Sequence, residues 1–202
     1  MKNKRPGRPV DQSKYVAIMK SAREILFKDG PMAVTMERVA TYAHVSKVTI
    51  YSYYANRKLL LKAVIEAESA LITQTIDDDP QTFSELKVML IDFIDHLSAY
   101  LVSKEHLRLM QVIGLSALEK DNFNTQVYMN GPQIIHSTLE TYLRSATKAG
   151  LICCEKPLQS AELLLGMVMG LDLVRAMYGI PLSQQKSAHS IVTSFLATLR
   201  KK

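Results

Sequence analysis

Thr35 to Arg57, TMERVATYAHVSKVTIYSYYANR, constrains this chain more than any other stretch. Thr35 is a hydroxyl cap, after which Met36, Val39, Ala40 and Ala43 fall on one face at helical spacing. His44 and Val45 form a break. Ser46 is a second hydroxyl cap. It opens a segment in which Val48, Ile50, Tyr51 and Tyr54 can pack while Lys47, Thr49, Ser52 and Tyr53 face out. Asn56 caps the next helix. Two helices of about two turns each, joined by so few residues, bury little by themselves. The spacing fits a helix-turn-helix, whose second helix can lie in a DNA major groove, and equally an ordinary helical hairpin.

Charge separates the two readings. Residues 1–60 hold twelve Lys/Arg against four Asp/Glu, a net of +8. Residues 61–202 hold thirteen against fifteen, a net of −2, so the whole surplus of the chain's +6 sits around the helix pair. A polyanion-binding module joined to a neutral one has this distribution.

The flanks supply what a helix-turn-helix needs. Residues 1–12 form a basic arm in which Pro6, Gly7 and Pro9 forbid a helix. Its Lys2, Lys4, Arg5 and Arg8 can follow phosphates, Arg5 and Arg8 can enter a minor groove, or the arm can serve as a solubilising tail. Ser13 to Asp29 reads as a supporting helix. Ser13 caps it, Val16, Met19, Ala22 and Leu26, joined by Ile18, Ile25 and Phe27, form its broad stripe, and Gly30-Pro31 stops it. After Asn56 a helix runs unbroken to about Ile76, leaving the basic module and entering the neutral one. It can act as a rigid connector.

Further helices are expected at Thr82–Ser103, Lys104–Lys120, Asp121–Lys148 (in two pieces around Gly131-Pro132), Leu158–Tyr178 and Ser183–Leu199. No stretch shows strand alternation, so the expected fold is all-α with about nine helices. The expected division is an arm at 1–12, a helix-turn-helix domain at 13–56 and a ligand-binding and dimerisation domain at 57–202.

Several functions find no support. The five histidines are scattered without an i, i+4 pair, no P-loop or G-x-S-x-G is present, and Cys153-Cys154 has no partner histidine at a telling spacing. The reading is therefore no enzyme, no metal and no cofactor. No apolar run reaches the ~18 residues of a membrane span, and the charged N-terminus is not a secretory signal. A cytoplasmic protein is expected.

Two features of the neutral module carry functional readings. Leu163–Val174 is apolar nearly all round and contains Gly166 and Gly170. Such a helix is either a central core helix or half of a dimer interface formed with the last helix. The interface reading takes Gly166, Gly170, Ile191 and Phe195, in a four-helix bundle across a two-fold axis. The second feature is methionine. Met89, Met110, Met129 and Met167, with Phe93 and His96, can line an adaptable pocket for a hydrophobic small molecule. His106 or Gln111 offers a further polar fixing point, and methionine at helical spacing is also ordinary core.

The stretch around Val45-Ser46, the helix KVTIYSYY and Arg57 resembles the tetracycline-repressor (TetR) family across residues 13–65. Residues 107–178, with Asn130-Gly131-Pro132, the A-x-x-x-G-L at 146–151 and the Gly-containing helix, resemble an AefR-type C-terminal domain more loosely. The resemblance implies a homodimeric, ligand-responsive transcriptional regulator, a repressor released from a near-palindromic double-stranded DNA operator by a small hydrophobic effector. A constitutive dimeric DNA-binding regulator is the alternative. By resemblance Thr35 caps its helix and contacts phosphate, Lys47, Thr49 and Tyr53 face the groove, and Tyr51 contacts phosphate. Arg57 takes the place of the usual Lys and meets phosphate at a helix N-terminus. The chain departs from the pattern at His44, where Gly is usual and a left-handed conformation or shifted turn is needed. It departs again at Val48, where a small residue is common and a bulkier one can meet a thymine methyl.

Overall fold

The computed structural model describes residues 11–76, 78–116, 123–182 and 187–199. Among these the chain is α-helical, in ten segments with two short 3₁₀ turns. The break expected at Gly131-Pro132 supplies the tenth. The chain divides into two compact units, Met1–Val64 and Ile65–Lys202.

The first unit is built on α1 (Gln12–Asp29). Its cap is Asp11 rather than Ser13. The Asp11 carboxylate accepts from the Ser13 backbone N–H at 3.2 Å and from its hydroxyl at 2.7 Å, satisfying two donors at once. The buried face runs Ile18, Ala22, Ile25 and Leu26, whereas Val16, expected on the stripe, points to solvent. Gly30 ends the helix at φ 82°, its N–H reaching the Leu26 carbonyl at 3.0 Å. A 3₁₀ turn at Pro31–Ala33 leads into α2 (Met36–Tyr42), which packs on α1 and on α3 (Lys47–Tyr53). Val34, Val39, Ile50 and Leu60 close the core without solvent contact.

The division between units falls inside α4 (Arg57–Thr73), which continues as a 3₁₀ turn over Gln74–Ile76. Asn56 caps it, accepting from the Leu59 N–H at 3.0 Å.

The second unit is arranged around α5 (Phe83–Leu101), opened by a reciprocal capping box between Thr82 and Glu85. Leu86, Leu90, Phe93, Ile94 and Leu97 recur at helical spacing and are buried against α9 (Pro157–Met177) and α10 (Ala188–Thr198). Between them in sequence come α6 (Lys104–Ser116), α7 (Phe123–Asn130) and α8 (Pro132–Lys148). Leu139, Tyr142, Leu143 and Ala146 of α8 join the same core. Gly131 sits where a Cβ would meet the Val127 carbonyl at 3.0 Å and Ile65 at 3.2 Å. A side chain there would crowd the turn between α7 and α8, so that its neighbours would have to give by a few tenths of an ångström. α9 is not uniform: at Gly170 the backbone leaves helical dihedrals. No helix among the described residues is long and apolar enough to cross a membrane.

Candidate nucleic-acid interface

The turn between α2 and α3 sets the geometry of the site. The Val45 N–H bonds the Ala40 carbonyl at 2.9 Å and the His44 N–H bonds that of Thr41 at 3.2 Å. This is the Schellman pair, and it requires a left-handed residue at His44, which has φ 52°. His44 is the only non-glycine with positive φ among the described residues. Of the two conformations expected there, the left-handed one is found.

Both hydroxyl caps form. Thr35 Oγ1 accepts from the Arg38 N–H at 3.2 Å, and Ser46 Oγ accepts from that of Thr49 at 3.1 Å. The Ser46 and Thr49 hydroxyls also meet at 2.9 Å.

Ile50 fixes the rotation of α3. It is fully buried, so at roughly 100° per residue the opposite side of the helix is that of Val48 and Ser52. Exposure agrees: Lys47, Val48, Tyr51 and Ser52 are exposed, with Val48 at 82% and Tyr51 at 48%. This corrects the expected facing. Val48 and Tyr51 do not pack, and Thr49 is half-buried with its hydroxyl on Ser46. Tyr53 is half-buried too, its hydroxyl donating to the Asp11 carbonyl at 2.8 Å. The Tyr54 hydroxyl turns inward to the Met19 sulfur at 3.0 Å. Burial, then Tyr15, raises its phenol well above the ordinary range.

The two other cations near the turn differ in availability. Lys47 Nζ lies 3.3 Å from Glu37 Oε1, both side chains solvated, so this pair is weak and easily exchanged. The Glu37 backbone N–H and then Lys47 hold that carboxyl below its usual range. Arg57 is committed. Its Nε donates to the Val34 carbonyl and its Nη2 to that of Pro31, both at 2.7 Å. These two bonds make Arg57 a brace beneath the turn that leads into α2. Arg5 and Arg8 lie outside the described residues.

Sequence reasoning passed over Glu37 and the centring of the outer face on Val48. Ile50 as the one deeply anchored residue of a short helix is the signal that would have found the second.

The pocket and interface residues of the second unit are not brought together as expected. Phe93 is sealed in the core, with Met89 and Met167 packed against it. His96 is exposed, its ring Nδ1 2.7 Å from the Asp92 carbonyl, and Met110 and Met129 face solvent. A cleft of ≈ 310 Å³ between α5, α9 and α10, lined by Asp95, Leu101, Val168 and Leu182, takes in none of the six. Of the interface residues, Ile191 and Phe195 are buried in the chain's own core because α10 needs them to seat on α5. Gly166 and Gly170 lie on an exposed face of α9 that also presents Leu163, Leu171, Val174 and Met177.

Two family models match the chain. One, described as bacterial regulatory proteins of the tetR family, matches residues 18–64. The other, described as the C-terminal domain of AefR-like transcriptional repressors, matches residues 88–200. The chain is 34% identical over 124 residues to the uncharacterized HTH-type transcriptional regulator YdeS of Bacillus subtilis (strain 168), covering 59% of this chain and 58% of that protein. It is 33% identical over 67 residues to the DNA-binding transcriptional repressor TetR of Mycobacteroides abscessus, covering 33% of this chain and 35% of that one. The match thus spans little more than half of the first relative's length and about a third of the second's. Among solved structures, a TetR transcriptional regulator from Agrobacterium tumefaciens superposes with a TM-score of 0.70 at 21% identity, over 92% of this chain and 94% of that one. The flavonoid-responsive regulator FrrA gives 0.69 at 20% identity, over 95% and 99%. At these identities the likeness is one of fold.

Proposed function

The chain belongs to the TetR family of bacterial regulatory proteins, and from that premise we propose that it is a homodimeric DNA-binding transcriptional regulator. It acts in the cytoplasm as a repressor released from a near-palindromic operator by a small hydrophobic effector. Residues 1–56 (the arm and the helix-turn-helix) bind DNA, and residues 57–202 bind the effector and dimerise. One observation carries the DNA-binding part: α3 has Ile50 as its one fully buried side chain and offers Lys47, Val48, Tyr51 and Ser52 to solvent. This lies within the sixty residues that hold all of the chain's excess positive charge. Lys47 and Tyr51 make direct contacts, and Thr35 stands at a helix start suited to phosphate. In the arm, Arg5 and Arg8 add charge.

Dimerisation is supported by the outer face of α9, where Leu171 is 69% and Met177 62% exposed beside Leu163 and Val174. Apolar side chains exposed on both sides of the break at Gly170 call for a partner surface, and a second copy supplies it across a two-fold axis. The two glycines allow the partner helix to approach closely.

Effector binding is supported by three buried polar atoms without a hydrogen-bond partner among the described residues. They are Thr75 Oγ1, His106 Nδ1 and His136 Nε2. An unmet buried donor or acceptor is unfavourable, and a ligand group can satisfy it. A specific observation favours a second reading. Phe93 is fully buried, and the expected pocket residues do not converge. A constitutive dimeric regulator fits that observation.

Selection from a random duplex library with the full-length protein tests the proposal. The expected product is a near-palindrome with half-site centres roughly 34–36 Å apart. Failure to enrich any site, or enrichment of isolated half-sites, contradicts it. A screen of apolar compounds then separates the readings. Compounds that raise Tm and release the selected duplex support the repressor with an effector, and their absence supports the constitutive form.

A further inference from the structure

We propose that Val48 is a specificity-determining residue that reads the 5-methyl group of thymine in the major groove. The inference rests on the DNA-binding reading above and deepens it. Val48 is the most exposed large apolar side chain among the described residues, at 82%. Single exposed apolar residues are common, so exposure alone does not distinguish it. Its position does. Val48 lies opposite the fully buried Ile50, at the centre of the α3 face that would enter a groove. Nothing in the folding of the first unit requires a β-branched residue there. Valine is a poorer helix former than alanine, and here it gains no packing in return.

Its surroundings on the face are polar. Lys47 has an ammonium group near Glu37, and Tyr51 and Ser52 carry hydroxyls. The Tyr51 ring aside, Val48 is therefore the one wholly apolar side chain of the reading face. Of the chemical groups on the major-groove edges, those of guanine, adenine and cytosine are hydrogen-bond donors and acceptors, and only thymine adds a methyl. An isopropyl group makes none of those hydrogen bonds, so its favourable contact is with that methyl. Its stiff χ1 leaves little side-chain entropy to lose on binding. Ser52, one turn further along the same side, is also short and lets the helix come close to the base edges.

The test uses full-length protein and the duplex selected above. Thymines of one half-site position at a time, with their symmetry mates, are replaced by deoxyuridine, which lacks only the methyl. Wild type and Val48→Ala are titrated against each duplex. The expected result is one position at which deoxyuridine weakens wild type by about fourfold per half-site, the value of one buried methyl, and leaves Val48→Ala nearly unaffected. Val48→Thr, which keeps the shape and exchanges one methyl for a hydroxyl, should fall between them. The proposal is overturned if no deoxyuridine replacement affects wild type, or if wild type and Val48→Ala lose affinity equally. If no duplex is selected at all, the DNA-binding reading itself fails and this one falls with it. Because Val48 is exposed and valine is the poorer helix former, Val48→Ala melts no lower than wild type, and lost affinity reports on contact.

Discussion

The Tyr53 hydroxyl donates to the backbone carbonyl oxygen of Asp11 at 2.8 Å, joining the last residue of α3 to the cap of α1. A phenol whose donor is used within its own unit acts by holding the helix in place. Tyr53→Phe removes that bond and keeps the ring. The expected loss is about 0.5–1.5 kcal/mol in urea unfolding, with a much smaller effect on DNA affinity than truncating Lys47. A large fall in affinity at unchanged stability would instead make Tyr53 a DNA contact.

Arg57 makes a comparable prediction. Its planar fork serves the carbonyls of Val34 and Pro31 together, and a lysine ammonium cannot match that geometry. Arg57→Ala should lower stability by about 1–3 kcal/mol, and Arg57→Lys should recover less than half of it. Chemical denaturation measures both. Intact stability with lost DNA binding would return Arg57 to the phosphate role.

His44 holds φ 52°, a conformation that disfavours a side chain with a Cβ. His44→Gly relieves that and adds chain entropy to the unfolded state, for an expected net gain of about 0.5–1 kcal/mol. His44→Val, β-branched and ill-suited to the left-handed region, should lose more than about 1 kcal/mol. Thermal melts of the two variants should therefore move in opposite directions.

Much of this was legible in the sequence because local chemistry governs it. The caps at Thr35, Ser46 and Asn56, the stops at Gly30 and Gly131, and the left-handed option at His44 are set by residues within a turn of one another. What was not legible depends on tertiary partners. Whether Thr49 or Val48 faces out is decided by where Ile50 is drawn, and Arg57 by two carbonyls more than twenty residues earlier. In the second unit, helical periodicity marked Ile191 and Phe195 as apolar. It could not tell a face that seats on α5 from one left for a partner. Met110 and Met129 share only a residue type with Met89 and Met167, and residue type does not place side chains around a common cavity.

The second unit carries a pH dependence. Burial lowers the His106 imidazole from its ordinary 6.5 to about 4, beside the Tyr100 ring at a centroid distance of 4.6 Å. Above pH 6.5 it is neutral both folded and unfolded, and its contribution is complete. As pH falls below 6.5 the unfolded chain binds a proton that the folded chain refuses until about 4. Stability should drop across that window, by at most about 1.4 kcal/mol per pH unit. Urea unfolding at pH 7 and pH 5 should show the drop, and His106→Gln should shrink it.

On the proposed function, the outer face of α3 binds duplex DNA. Equilibrium titration of the selected duplex at moderate salt, with wild type, Lys47→Ala and Tyr51→Ala, tests it most directly. Lys47 is largely exposed and Tyr51 about half so, and each variant's melting curve is recorded beside its affinity to separate contact from folding. The predicted result is a loss of roughly tenfold or more for each variant, with a shallower salt dependence for Lys47→Ala. Unchanged affinity in both would contradict the account.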